Sequence, residues 1–174
     1  MSRKVMVYIA TSLDGYIATD KDSLEWLFKV EGEGDNGYSE FYDTIDTVVL
    51  GRRTYDWIRN FEEENFPYAN KKCYVFTRTP YVADENVEFI HGDISKFISS
   101  LKMEAGKNIW IVGGGEIISQ CVKEKLVDEF ILFVAPTLIG KGISLFNQQN
   151  IEVELELKSV RQFKQFAQLH YVKK

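Results

Sequence analysis

The sequence predicts an α/β fold, a three-layer sandwich in which helices flank a mostly parallel central sheet and an antiparallel hairpin closes the C-terminal end. Three observations predict it. Four short apolar runs, residues 4–10 (KVMVYIA), 47–50, 73–76 and 109–112, lack the regular polar alternation of a half-exposed strand, as strands covered on both faces require. Segments of helical period separate those runs. Beyond Pro136 the pattern changes to short alternating stretches.

Taken in order, residues 4–10 form the first strand. Tyr38, Phe41, Tyr42 and Ile45 then recur at i, i+3, i+4 and i+7, which predicts a helix facing the core. The strand 47–50 runs into a helix through Trp57 and Ile58, and 73–76 is the next strand. Asp93 is an N-cap for a helix whose stripe is Ile94, Phe97, Ile98 and Leu101. The strand 109–112 leads into a helix carrying Ile117, Ile118, Cys121 and Val122. At the end, residues 152–156 alternate Glu with Val and Leu, and Phe163, Phe166, Leu169 and Tyr171 follow across a polar connection, which predicts the hairpin. In such an alternating α/β chain, ligands gather at the carboxyl ends of the strands.

A length of 174 residues suits a single domain over 1–174, and a hydrophobic share of 45% is that of a packed globule. A net charge of −5, with acids gathered in 31–35 and 62–64, argues against a nucleic-acid partner. The apolar run behind Arg3 and Lys4 meets Asp14 too soon for a signal peptide or a membrane span. A cytoplasmic location and no membrane partner are expected. Cys73 and Cys121 lack Cys or His neighbours at ligand spacing, so they read as reduced, buried thiols with neither disulfide nor metal. His91 and His170 lie in strand-like contexts, are expected to have no acidic or Cys partners, and read as structural.

The chemistry-bearing motifs stand where strands end. Gly113, Gly114, Gly115 and Glu116 follow one strand and open a helix at Ile117, so free backbone N–H groups and a positive helix end face a phosphate without an intervening Cβ. The spacing is not G-x-G-x-x-G, because residue 118 is Ile, and Gly140-Lys141-Gly142 lacks the rest of a P-loop. A second motif, Gly51, Arg52, Arg53 and Thr54, offers charged and hydroxyl donors at another helix start. A third, Thr77 and Arg78, follows the strand 73–76.

The segments YIATSLDGYIA, IDTVVLGRRTY, VFTRTP, IWIVGGGEIISQCV and VDEFILFVAPTLIGKGISLF resemble the dihydrofolate reductase superfamily, and more closely its branch containing the reductase domain of bacterial riboflavin-biosynthesis enzymes. The resemblance spans residues 5–146 with the motifs in the same order. It implies a dihydrofolate reductase-like fold and NADPH as hydride donor. It places Gly51, Arg52, Arg53, Thr54, Gly113, Gly114, Gly115, Glu116 and Ile117 around the phosphates, with Thr77 and Arg78 near the 2′-phosphate. Ala10 and the loop holding Ser12, Asp14, Gly15 and Tyr16 would flank the nicotinamide, with Asp14 the candidate catalytic acid and Ser12, Tyr16 and Trp26 on the substrate side. It implies a small-molecule substrate, heterocyclic or ribosylamino-pyrimidine-like, and a homodimer.

The chain also departs from that pattern. The folate enzymes carry a carboxylate on their first helix; here the matching position falls near Gly37 or Tyr38, while Glu40 and Asp43 turn away from the apolar stripe and Asp35 reads as a turn or N-cap. Two functions therefore remain open. One is an NADPH-dependent reductase, acting as 5-amino-6-(5-phosphoribosylamino)uracil reductases or dihydrofolate reductases do. The other is a nucleotide-binding or ligand-sensing module that keeps the cofactor pocket without productive chemistry.

Overall fold

The computed structural model describes residues 2–62 and 64–174, so Glu63, the middle of the acidic run 62–64, lies outside the described residues. Its strands are β1 (Val5–Thr11), β2 (Tyr16–Ala18), β3 (Ile45–Gly51), β4 (Lys72–Phe76), β5 (Glu88–Ile90), β6 (Asn108–Gly113), β7 (Glu129–Val134), β8 (Ile143–Ser144), β9 (Leu155–Phe163) and β10 (Phe166–Lys173). The helices are α1 (Glu25–Phe28), α2 (Tyr38–Tyr42), α3 (Arg52–Phe61), α4 (Ile94–Met103) and α5 (Gly115–Lys123).

Eight strands form one sheet in the order β5-β4-β3-β6-β1-β7-β10-β9, and β2 pairs with β8 in a small antiparallel ribbon. From β5 to β7 all neighbours run parallel; β10 is antiparallel to both β7 and β9. The four apolar runs are β1, β3, β4 and β6 at the centre of the sheet. Val5, Val7, Val48, Val49, Leu50, Val75, Ile109 and Ile111 are fully buried there, and burying each such side chain stabilises by about 1.5–3 kcal/mol. One face packs Phe41, Tyr55 and Ile58 from α2 and α3; the other packs Ile94, Ile98 and Leu101 from α4 with Ile118 and Cys121 from α5. Helices on both faces make the third layer that the periodicity predicts.

The boundaries differ in two places. The helix expected to reach Ile45 stops at Tyr42, because Thr44 turns its hydroxyl back to the Phe41 carbonyl (2.6 Å) and Ile45 opens β3 opposite Asn108. In the hairpin, residues 152–154 precede β9, which begins only where its partner β10 ends, with Leu155 opposite Lys173. Phe163 closes β9 instead of opening the second strand, and Lys164 takes φ +51° in the turn. Asp93 caps α4 as expected, accepting from the N–H groups of Ser95 (2.8 Å) and Lys96 (3.2 Å).

His170 does have an acidic partner. Its Nε2 lies 2.8 Å from Oε2 of Glu129, a buried carboxylate on the neighbouring strand. Burial would raise the Glu129 carboxyl, but Lys4 and His170 hold it below its usual range. The pairing is a cross-strand contact at the opposite end of β7 from the carboxyl edge and supports the structural reading.

Candidate functional site

One cavity of about 930 Å³ opens along the carboxyl ends of the parallel strands. The strand order dictates its contents: Thr77, Arg78 and Thr79 follow β4, Gly51 to Thr54 follow β3, Gly113 to Ile117 follow β6, and Ile9 and Ala10 end β1. Ile17 and Ala18 of β2 close the apolar end beside Val112.

The β6–α5 corner is built for close backbone approach. Gly113 has φ +143°, a conformation that side-chain-bearing residues rarely adopt, and its bond to Gly114 is cis. A Cβ on Gly115 would sit 2.4 Å from the Ser144 carbonyl oxygen, so only glycine fits there. The first-turn N–H groups of α5 have no partner within the helix and face the cavity with the positive end of its dipole. Across from them, the Thr54 hydroxyl lies 3.4 Å from where a Gly114 Cβ would stand.

Three guanidinium groups join this corner, each oriented by a carboxylate. Arg52 Nε donates to Asp56 (2.8 Å), while its Nη1 donates to the Thr77 hydroxyl (3.3 Å) and the Pro80 carbonyl (3.1 Å). Arg53 holds Asp22 through two nitrogens, its Nε at 2.9 Å and its Nη2 at 2.9 Å. Arg78 pairs with Glu116 on the opposite wall. A guanidinium has five N–H donors, and each of these keeps at least one nitrogen without a partner among the described residues, so an anion can be accepted without breaking the pairs.

The other sequence-predicted residues lie elsewhere. Ser12, Asp14, Gly15, Tyr16 and Trp26 do not line the cavity. Asp14 fastens two loops together: it accepts from the Ser12 hydroxyl (2.6 Å) and from the N–H groups of Gly140 (2.8 Å) and Ile139 (3.3 Å). The Ser12 hydroxyl first, and those N–H groups with it, outweigh desolvation and hold its carboxyl below the usual range. It is ionised at neutral pH and has no proton to give. Ser12 Oγ also receives the Tyr16 N–H (2.9 Å), and Gly15 takes φ +86° in the turn between them. Trp26 packs against the cluster under α1 to α3, and its buried Nε1 has no partner among the described residues.

No carboxylate reaches the cavity from α2. Asp35 accepts from the backbone of Gly37 (3.0 Å) and Ser39 (2.9 Å), capping the helix, and Glu40 pairs outward with Arg161 at 3.2 Å. Burial pushes the phenols of Tyr8 and Tyr38 well above their ordinary range, and Tyr8 lies flat on Phe41 with ring centroids 4.1 Å apart. Burial likewise pushes the Cys73 and Cys121 thiols up to about 12, which keeps them protonated. Among the described residues no three His, Cys, Asp or Glu side chains converge on a metal position, and no helix is long and apolar enough to cross a membrane.

Sequence reasoning missed one whole side of the cavity: Leu24 and Leu27 around α1, Trp57, Ile58 and Asn60 on α3, and Tyr68. Trp57 and Ile58 were visible as a helical stripe, and the i, i+3 pair Leu24 and Leu27 was a faint signal. Nothing in the sequence linked Asp22 to Arg53, 31 residues apart.

The family model of the RibD C-terminal domain matches residues 3–169. Over 174 residues the chain is 50% identical to the uncharacterized protein YwjB of Bacillus subtilis (strain 168), covering 99% of each. A crystal structure of a protein from Shewanella sp. PV-4 assigned to riboflavin biosynthesis superposes with a TM-score of 0.87 at 29% identity, over 100% of this chain and 99% of that one. Dihydrofolate reductase from Enterococcus faecalis, complexed with NADP(H) and RAB-propyl, shares the fold, with a TM-score of 0.68 at 16% identity over 99% of each chain.

Proposed function

The chain belongs to the RibD C-terminal domain family, and from that membership we propose that it is an NADPH-dependent reductase of a small planar heterocycle, residues 1–174 acting as one domain. The carrying observation is that Arg52, Arg53 and Arg78, each with spare N–H donors, meet the glycine corner of α5 in one cavity whose other end is apolar. That donor set suits two linked phosphates and a third on the adenosine ribose.

Gly113 to Ile117 cradle the pyrophosphate with backbone N–H groups, and Thr54 adds its hydroxyl. Gly51 keeps the β3–α3 corner close to that cradle. Thr77 positions Arg52, and Arg78 carries the charge for the 2′-phosphate. Ala10 with Ile9 and Ile17 forms an apolar seat for a nicotinamide-sized ring, and Asp14 fixes the 12–16 loop that leads from Ala10 to Ile17. When bound, NADPH supplies the hydride. The protein supplies orientation and excludes water.

A cytoplasmic location is in keeping with two buried free thiols, Cys73 and Cys121. The protein works as a homodimer through the exposed β9 edge. A ligand-sensing module is the second reading, favoured by the lack of an α2 carboxylate in the cavity. Titration with NADPH, followed by a screen of planar heterocycles for loss of reduced-nicotinamide absorbance, tests both: absence of NADPH binding defeats either, and binding without turnover selects the module.

A further inference from the structure

The turn between β2 and α1 is closed on itself. The Asp22 N–H donates to the Thr19 carbonyl (3.1 Å), the Thr19 N–H to the Ser23 carbonyl (3.1 Å), and the Ser23 N–H to the Thr19 hydroxyl (3.0 Å). Asp22 takes φ +60°, a left-handed conformation that Asp tolerates better than most side-chain-bearing residues. Two ion pairs join this turn to distant parts of the chain: Asp22 with Arg53 on α3, and Asp20 with Lys141 at 3.2 Å. The Arg53 and Asp22 side chains are 66% and 37% exposed, so their pair adds little to folding. Both residues line the cavity.

The pair occupies one edge of the guanidinium and leaves the other open. Arg53 Nε lies 2.9 Å from Oδ1 and 3.1 Å from Oδ2 of Asp22, and Nη2 donates to Oδ2 at 2.9 Å. The carboxylate therefore grips the edge made by Nε and Nη2, while Nη1 with its two N–H groups has no partner among the described residues. Arg53 and Thr54 are neighbours in the first turn of α3, and the Thr54 hydroxyl stands 3.4 Å from where a Gly114 Cβ would be. The open edge thus belongs to the residue beside the glycine corner. Glu116 holds Arg78 differently, through the terminal Nη2 alone, a nitrogen that a phosphate would take.

A long side chain that becomes ordered only on binding costs affinity, and Asp22 has ordered Arg53 beforehand. Against this stands the repulsion between a carboxylate and a phosphate on opposite edges of one guanidinium. Those edges face water, and salt screens them over about 8 Å. Ordering outweighs repulsion. We infer that Asp22 is a positioning residue for the dinucleotide: it holds Arg53 so that the terminal edge meets the pyrophosphate. By linkage, the bound pyrophosphate then steadies the 19–23 turn, which leads into the cavity-lining residues Leu24 and Leu27. The inference rests on the NADPH-binding reading above and adds to it how one wall of the cavity responds to the cofactor.

Calorimetric titration of the full chain with NADPH, NADH and adenosine 2′-monophosphate tests it. Asp22→Asn, which keeps the size and removes the charge, weakens both dinucleotides alike, by roughly 3- to 10-fold. It leaves adenosine 2′-monophosphate, which has no pyrophosphate, unchanged. In an Arg53→Ala background the same substitution costs nothing further. Amide exchange in the 19–23 turn slows when NADPH binds the unmodified protein and does not slow when NADPH saturates Arg53→Ala; a merely structural Asp22 would produce neither result. Asp22→Asn that binds NADPH as tightly as the unmodified protein, or more tightly, overturns the inference, as do losses that add in the double variant. Those outcomes leave NADPH binding, and with it the reductase reading, standing. An unmodified protein that binds no NADPH defeats that reading and this inference together.

Discussion

The Arg78 guanidinium and the Glu116 carboxylate meet across the mouth of the cavity, one from the loop after β4 and the other from the first turn of α5. Their side chains are 84% and 71% exposed, so the pair contributes little to folding and its consequence lies in ligand choice. The 2′-phosphate is the large difference between NADPH and NADH. A charge-assisted hydrogen bond to it is worth about 1.5–3 kcal/mol, so Arg78→Ala should weaken NADPH binding roughly 10- to 100-fold and leave NADH nearly unchanged. Arg78→Lys should recover only part, lacking the planar fork. Glu116→Gln, which removes the negative charge that competes for Arg78, should tighten NADPH. Equal losses for both cofactors in a titration of Arg78→Ala would assign Arg78 to the pyrophosphate instead.

Gly115 and Gly51 make a matched pair of probes for the phosphate corner. A Cβ on Gly115 would stand 2.4 Å from a backbone oxygen of β8, whereas one on Gly51 would stand 3.0 Å from the Ile117 side chain, which can turn aside. Gly115→Ala should therefore cost about 1–3 kcal/mol, and Gly51→Ala clearly less. Urea unfolding of the two variants checks the order; an equal cost would mean that β8 yields as easily as a side chain.

The central sheet was legible because parallel strands covered on both faces need apolar residues at successive positions, and Val48, Val49 and Leu50 satisfy that within three letters. Ile45 misled because a buried residue one turn beyond Phe41 fits a helix as well as a strand, and only Thr44 and the partner Asn108 decide it. The glycine corner and the arginines were legible as motifs after strands. The side of the cavity formed by Leu27, Trp57 and Tyr68 was not, since these residues come together only through folding, and aromatic residues at helical spacing are more often core. His170 and Glu129, 41 residues apart, are joined only by strand pairing.

The sheet ends in an edge that needs a cover. β9 is its last strand, nearly all its residues are exposed, and Leu155, Leu157 and Val160 present apolar side chains to solvent. Such an edge invites pairing with a second copy. Light scattering at micromolar concentration should give about twice the 20.1 kDa of one chain, and Leu157→Lys combined with Val160→Lys should return it to a monomer without loss of secondary structure. A monomeric unmodified protein would remove the idea.

Asp84 should make stability fall in a defined acid window. Burial alone would raise its carboxyl, but the Tyr55 hydroxyl at 2.6 Å, the Asn86 N–H at 2.9 Å and the Arg59 guanidinium overcome that and hold it at about 2, against an ordinary 3.8. The side chain is only 12% exposed, so solvent screens the effect little. Because the folded-state value is depressed, the contribution is complete above the unfolded value near 4 and is lost as pH falls from there towards 2. A shift of that size corresponds to about 2 kcal/mol. Asp84→Asn should therefore be less stable than the unmodified protein by roughly that amount at neutral pH, and the gap should close as pH approaches 2. Urea unfolding across this range reads it directly, and a gap that does not narrow with acid would place the stabilisation in packing instead of charge. The same network ties the 77–87 loop to α3 beside Arg52, whose Nη1 holds the Pro80 carbonyl. Asp84→Asn should accordingly loosen the loop that carries Arg78 and weaken NADPH binding at neutral pH, although Asp84 itself does not line the cavity.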